Sequence, residues 1–145
     1  MSEPIGLSGK CLCGAVTFTV TSASKHVGAC HCGMCRKWSG GILLALEGST
    51  DLKISGEDNL SVYKSSDWGE RIFCKTCGSN LFWRSPTFGT TEVMAGAIDD
   101  PAELSFVREI FIDHKLPYLE FANATEKLTG SEFLARFGLP EDQQN

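Results

Sequence analysis

The segment Cys30-His31-Cys32-Gly33-Met34-Cys35 places three thiols close together in the chain. Two cysteine pairs flank it, Cys11-Leu12-Cys13 before it and Cys74-Lys75-Thr76-Cys77 after it. Together these motifs contain all seven cysteines. Scattered core cysteines would not fall into three short clusters, so the spacing favours metal ligation. Zinc is the natural candidate, because it is borderline-soft and prefers four ligands in a tetrahedron.

A disulfide framework is the main alternative to a metal site. Disulfides need an oxidising compartment, and residues 1–10 have neither the basic nor the apolar region of a signal peptide. An odd number of cysteines would also leave one thiol unpaired. We therefore expect a cytoplasmic protein whose cysteines bind metal.

Seven ligands divide most simply as four plus three. The four would complete a closed site, typical of a structural zinc: Cys11, Cys13, Cys74 and Cys77. The remaining three would leave the fourth zinc position open to water or substrate, as in a catalytic site: Cys30, Cys32 and Cys35. We favour this division because Cys30 and Cys32 share a face and Cys35 lies one turn on. A zinc ribbon joining Cys32 and Cys35 to Cys74 and Cys77 stays open as an alternative.

His31 lies between two of these cysteines, so in an extended segment its side chain points to the opposite face. This position favours a structural role, or a hydrogen bond that supports the ligands, over direct zinc ligation.

Length and charge restrict the classes of protein that this chain can be. The 145 residues, 42% of them apolar, fit one domain over residues 1–145. A formal net charge of −5 disfavours a general nucleic-acid or anionic-membrane surface. The longest apolar run, residues 42–46, is far shorter than the roughly 20 residues of a membrane span. We expect neither a nucleic-acid nor a membrane partner, and the sequence does not indicate an oligomeric state.

The secondary-structure pattern predicts a mainly β protein. Residues 15–21 alternate apolar and hydroxyl side chains, as in a half-buried strand. The C-x-x-C motif at Cys74 has strand-like residues on both sides, which predicts a hairpin. A capping box of Thr129 and Glu132, with Phe133 and Phe137 one turn apart, predicts a helix over residues 129–138, which Gly138 and Pro140 would end. Residues 1–9 are expected to form a loose tail. Short strands are also expected at residues 27–32, 42–46, 52–54, 60–64, 92–98 and 106–112.

The motifs resemble those of a known family. They are Gly9-Lys10-Cys11-Leu12-Cys13-Gly14-Ala15-Val16, Cys30-His31-Cys32-Gly33-Met34-Cys35-Arg36-Lys37-Trp38-Ser39-Gly40, Phe73-Cys74-Lys75-Thr76-Cys77-Gly78-Ser79 and Ala95-Gly96-Ala97-Ile98-Asp99-Asp100-Pro101. In this order they are similar to the glutathione-dependent formaldehyde-activating enzymes, a family to which centromere protein V also belongs. The resemblance covers residues 9 to about 121.

The resemblance implies a fold and two zinc ions per chain. The fold is the zinc-bearing β-tent of short antiparallel strands, here with one C-terminal helix. The structural zinc would be held by Cys11, Cys13, Cys74 and Cys77. A catalytic zinc, which could be labile, would be held by Cys30, Cys32 and Cys35.

The resemblance also implies a carbon–sulfur lyase that joins formaldehyde and glutathione to S-hydroxymethylglutathione. A small thiol such as glutathione would then be the substrate. Its two carboxylates could pair with Arg36 and Lys37, and Trp38 could form a wall of the pocket. The alternative hypothesis is a non-catalytic, zinc-stabilised binding module, in which the three-cysteine group is only a weak metal site.

Overall fold

The computed structural model describes residues 3–136 and Gly138 as two β-sheets with two short α-helices. The strands are Ile5–Lys10 (β1), Thr17–Ser22 (β2), His26–Cys30 (β3), Leu43–Leu46 (β4), Ser49–Ser55 (β5), Leu60–Lys64 (β6), Glu70–Cys74 (β7), Asn80–Ser85 (β8), Thr90–Met94 (β9), Ser105–Ile110 (β10) and Glu126–Leu128 (β11). The helices are Gly33–Ser39 (α1) and Gly130–Arg136 (α2), and three 3-10 turns lie at Glu57–Asn59, Ala95–Ala97 and Ile112–His114. The prediction of a mainly β protein is confirmed.

The strands form one small and one large sheet. The small sheet has the order β1-β2-β5 and is antiparallel. The large sheet has the order β11-β10-β3-β4-β9-β8-β7-β6. Its pairs are antiparallel except that β10 runs parallel to both β3 and β11. The parallel pairs bring the later part of the chain beside the strand that ends at the central cysteine motif.

The main core lies between the two sheets. Leu46, Val93, Phe82 and Ile72 are cross-strand neighbours on one face of the large sheet, and all four are buried. Phe18 of the small sheet meets Phe82 edge to face, with ring centroids 5.2 Å apart. Such packing explains why β2 alternates, since every second side chain of the strand faces this core.

The opposite face of the large sheet carries a second core. On each strand, the sequence neighbours of the residues in the first core point to this opposite face. They include Met94 and Trp83, which pack with the central cysteine motif, α1 and α2. This face positions the three-cysteine group.

Most predicted elements are present near their predicted bounds, and the 74–77 hairpin forms from β7 and β8. The capping box of α2 is also present: Thr129 Oγ1 accepts from Glu132 N–H at 3.1 Å, and Glu132 accepts from Thr129 N–H at 2.8 Å. Phe137 and Pro140, predicted to pack on and to end this helix, lie outside the described residues.

Three expectations about elements are wrong. Residues 1–9 were expected to form a loose tail, but residues 5–9 belong to β1, which begins at Ile5 and pairs along its whole length with β2. The predicted strand over residues 92–98 ends at Met94, where a 3-10 turn follows. No strand was expected at β11, which pairs with the edge of β10.

Within the described part of the chain, no helix is long and apolar enough to cross a membrane.

Candidate metal centres

The first cysteine group joins two distant turns. Cys11 and Cys13 follow β1, while Cys74 ends β7 and Cys77 lies in the turn before β8. The four Sγ atoms all lie within 4.8 Å of one another. Cys13 Sγ is 3.6 Å from Cys11 Sγ and 3.7 Å from Cys74 Sγ. A zinc ion with four Zn–S bonds of about 2.3 Å has sulfurs about 3.8 Å apart, so this group fits tetrahedral zinc.

Tight turns, and a hydrogen bond between the two turns, bring these sulfurs together. Gly14 directly follows Cys13, and Gly78 directly follows Cys77. Both glycines adopt a positive φ, 82° and 78°, which lets the chain turn there. The N–H of Leu12 donates to Ser79 Oγ at 2.9 Å, which ties the first turn directly to the second. The sequence therefore places glycine where each turn needs the left-handed conformation.

Neutral groups donate to the sulfurs of the first group. The N–H of Val16 donates to Cys11 Sγ at 3.3 Å, and Asn59 Nδ2 donates to Cys74 Sγ at 3.1 Å. A hydrogen bond with the Ser79 hydroxyl is the main cause that lowers the pKa of Cys77 to about 5. Such donors stabilise thiolate, the form that binds a metal.

The second group comes from one continuous segment. Cys30 ends β3, Cys32 is the N-cap of α1, and Cys35 lies in the first turn of that helix. All three are buried, and their Sγ atoms lie within 4.8 Å of one another. The helix begins inside the motif, because Cys32 Sγ caps it by accepting from Cys35 N–H at 3.4 Å.

The buried thiols of the second group influence one another. Hydrogen bonds from Cys30 and Cys35 are the main causes that lower the pKa of Cys32 to about 2. The reciprocal bond to Cys32, with burial, holds the pKa of Cys30 well above its ordinary value. Three buried thiols can therefore all ionise only around a cation, which fits a metal ion held by three thiolates.

The two groups differ in completeness. Among residues 3–136 and 138, no further His, Cys, Asp or Glu side chain joins either group. The first group thus offers four ligands and the second three. The zinc-ribbon alternative would require Cys32 and Cys35 to lie with Cys74 and Cys77, and the structure places these pairs in separate groups.

The sequence analysis missed Arg71, which touches the second group from β7. Its Nη1 and Nη2 donate to Cys35 Sγ at 3.6 and 3.7 Å. The side chain is almost fully buried, and its Cζ lies 5.3 Å from the centroid of the Trp38 ring. The only signal in the sequence is a charged residue directly before the apolar pair Ile72-Phe73 that leads into the C-x-x-C motif.

The three predicted substrate residues lie on α1, and the structure brings one of them to the second group. Trp38 is half-buried, packs against this group and accepts a hydrogen bond from Asn80 Nδ2 on its carbonyl at 2.8 Å. Arg36 is half-buried and Lys37 is exposed. Neither the Arg36 nor the Lys37 side chain has a hydrogen bond or ion pair with another described residue.

His31 lies outside both groups and directly follows the end of β3. It is fully buried, and its Nε2 lies 2.7 Å from Glu109 Oε1. Thr125 Oγ1 donates to the second oxygen of Glu109 at 2.5 Å. Burial raises the pKa of Glu109, but the bonds from Thr125 and His31 outweigh it and lower the pKa overall. The pair fixes the end of β3 from behind the cysteines, as the structural interpretation of His31 predicts.

Glu92 is a second residue that the sequence analysis missed. It is half-buried on β9, directly across from Trp83 and on the same face as Met94, which packs against the second group. Burial, together with the negative charge of Glu47, raises the pKa of Glu92 to about 7. A carboxyl group that changes protonation near neutral pH therefore lies on the face that carries the three cysteines.

Comparisons with known proteins identify the family to which this chain is similar. The family model described as glutathione-dependent formaldehyde-activating enzyme matches residues 6–114. An uncharacterized lyase of Schizosaccharomyces pombe is 30% identical over 131 residues, which are 87% of this chain and 93% of the relative. A putative glutathione-dependent formaldehyde-activating enzyme of Halomonas elongata is 36% identical over 103 residues, 64% of this chain and 66% of the relative.

A solved structure shares the fold. The crystal structure of a Rhodobacter sphaeroides protein superposes with a TM-score of 0.54 at 24% identity, covering 70% of this chain and 100% of that one. The fold, the cysteine groups and the match over residues 6–114 lead to one conclusion. The chain belongs to the family of glutathione-dependent formaldehyde-activating enzymes.

Proposed function

We propose that this protein is a zinc-dependent carbon–sulfur lyase that acts on the adduct of a thiol, glutathione in the first instance, with an aldehyde. The observation that carries the proposal is the buried group of Cys30, Cys32 and Cys35, which offers three ligands where the first group offers four. The enzyme names of the family and of two relatives support it.

The reaction is an addition and its reverse. A bond forms between the thiol sulfur and the carbonyl carbon, the thiol proton passes to the carbonyl oxygen, and nothing is oxidised or reduced. Zinc held by three thiolates would supply a Lewis acid that lowers the pKa of a thiol or polarises an aldehyde oxygen. We propose zinc at both groups, the four-cysteine group being structural and the three-cysteine group catalytic.

Residues around the second group would bind the thiol substrate. Trp38 forms an aromatic wall next to the three cysteines. Arg36 and Lys37 are without an ion-pair partner in the described structure and could each pair with a carboxylate of glutathione. Glu92 is on the same sheet face and is the candidate to exchange the proton that moves from sulfur to oxygen.

Cysteines bind a metal only while they are reduced and not joined in disulfides. The cytoplasm keeps cysteines reduced, so the proposed metal sites support a cytoplasmic location. Both sheets contribute to one core, which supports a single domain over residues 1–145.

The variant Cys32→Ser tests the function. We expect it to lose nearly all acceleration of S-hydroxymethylglutathione formation, measured by exchange NMR of formaldehyde with glutathione. It should retain the fold and the metal ion of the first group, because those four cysteines are untouched. Ser39→Ala, an exposed change at the end of the same helix, should keep wild-type activity.

The results separate the two hypotheses for the function. Lost turnover with one ion retained supports the lyase. The other outcome is a wild-type protein with metal in both groups that does not accelerate the reaction at all. The protein would then not be a lyase for this substrate, and the binding-module alternative would be favoured.

A further inference from the structure

Arg71 carries a buried positive charge without a carboxylate partner. Only 3% of the residue is exposed, and no Asp or Glu within the described residues pairs with it. A charge removed from water is costly unless another charge or several hydrogen bonds compensate for it. The compensating atom in this structure is a sulfur, because both terminal nitrogens of Arg71 point to Cys35 Sγ.

The position of the Arg71 guanidinium is fixed from two other directions. Its Nε donates to Ser65 Oγ at 3.1 Å, and its plane lies near the Trp38 ring. A guanidinium group held on several sides loses little further freedom when it binds an anion. The side chain is therefore arranged to hold a negative sulfur at Cys35.

The first cysteine group shows how unusual this contact is. Its sulfurs accept from a backbone N–H and from the Asn59 amide, which are neutral donors. Within the described chain no lysine or arginine donates to them. The first group also includes the exposed Cys13, so water can screen its charge, whereas all three cysteines of the second group are buried.

Three thiolates with one divalent cation leave one net negative charge. We propose that Arg71 is the buried counter-charge of the second cysteine group and a positioning residue for Cys35, so that the group retains its metal as a nearly neutral unit. This inference rests on the proposed function, because it assumes that the second group binds a metal.

Metal retention tests the inference without any assay of turnover. Wild-type protein loaded with zinc would be exposed to increasing chelator, and native mass spectrometry would count the ions per chain. Arg71→Met keeps most of the buried stem and removes the charge. We expect it to weaken retention of the second ion by about 10–100-fold, as for other residues that support metal ligands. The ion of the first group is the internal reference and should be retained as in the wild type.

A spectroscopic measurement separates a charge effect from a loss of packing. In protein loaded with cobalt, the sulfur-to-cobalt absorption of the second group should move to longer wavelength in Arg71→Met, because the positive charge no longer stabilises the sulfur electrons. Arg71→Lys restores the charge without the fork of donors, so it should recover part of the retention. Arg84 lies on the neighbouring strand and pairs with Glu70 at 2.9 Å, so Arg84→Met is the matched control and should change neither measurement.

Each result decides the matter. If Arg71→Met keeps both ions with wild-type retention and an unchanged spectrum, the inference is wrong and the proposed function is unaffected. If wild-type protein with a filled first group never takes a second ion, the proposed catalytic site fails, and the inference fails with it. Should Arg71→Met not fold, Ser65→Ala replaces it: reduced retention of the second ion alone supports the inference, and unchanged retention overturns it.

Discussion

Glu92 shows what a single half-buried carboxyl group does to the stability of this protein. Burial first, and the negative charge of Glu47 second, raise its pKa from 4.5 to about 7. Because the folded value exceeds the unfolded one, this group favours folding fully below about pH 4.5. That contribution is lost as the pH rises through 7.

The variant Glu92→Gln should therefore change the pH dependence of stability. Glutamine stays neutral, so the variant should be more stable than wild type at pH 8, by about 2–3 kcal/mol at most, and similar to it at pH 4.5. Urea unfolding at the two pH values measures the difference. Glu57→Gln, an exposed change, is the control. An equal effect of Glu92→Gln at both pH values would show that ionisation of Glu92 is not the cause.

Single residues also show what the sequence can and cannot predict about the site. All seven cysteines were identifiable because ligand spacing is a local property of the chain. Arg71 was not, because its contact with Cys35 joins residues 36 positions apart and depends on how β7 lies beside α1. Glu92 was missed for the same reason, since its pKa depends on burial and on Glu47, which follows the neighbouring strand β4.

At the scale of elements, β1 packs more tightly than its sequence suggests. A Cβ at Gly9 would lie 2.3 Å from the Phe18 ring and 2.4 Å from the Ala97 carbonyl oxygen, both closer than atoms can approach. A Cβ at Gly6 on the same strand would meet nothing within 4 Å. Position 9 therefore requires glycine, because the 3-10 turn at Ala95–Ala97 lies too close to the backbone there for a side chain.

Substitution of each glycine by alanine tests this packing. Gly9→Ala should destabilise the protein by about 1–3 kcal/mol or more, because a backbone oxygen has to move. Gly6→Ala is the matched control and should be close to neutral. Thermal unfolding of the two variants beside the wild type measures the effect, and equal melting temperatures would contradict the close approach.

Elements with strong local signals were predictable and those defined by their partners were not. The capping box locates the start of α2, and alternation locates β2. In contrast, β1 contains two glycines and follows polar residues, so its strand character comes from pairing with β2. The short β11 exists because β10 presents an edge to it, in a parallel register that no local pattern encodes.

At the scale of the whole molecule, the first cysteine group connects the two sheets. Cys11 follows the small sheet through β1, and Cys74 ends a strand of the large sheet. A metal bound there would hold the sheets together at one end of the main core, and its binding energy would add to the stability of the folded state.

Loss of one ligand from each group should thus have different consequences for the whole protein. Cys13→Ser should lower the midpoint of thermal unfolding by roughly 10 °C or more, because a structural metal site contributes directly to folding. Cys32→Ser should lower the midpoint of thermal unfolding much less. The three ligands of the second group come from one segment, so a metal there does not connect distant parts of the chain. Calorimetry of both variants makes the comparison, and a larger loss in Cys32→Ser would reverse the assignment of the structural group.

The spacing of the two groups along the chain also sets the order in which they can assemble during folding. The ligands Cys30, Cys32 and Cys35 are neighbours, so they close only very short loops, at little cost in chain entropy. Cys13 and Cys74 are 61 positions apart and can meet only after the β7–β8 hairpin has docked. During synthesis the local group can therefore form as soon as its own segment has left the ribosome. The long-range group must wait until more than half of the chain has been made.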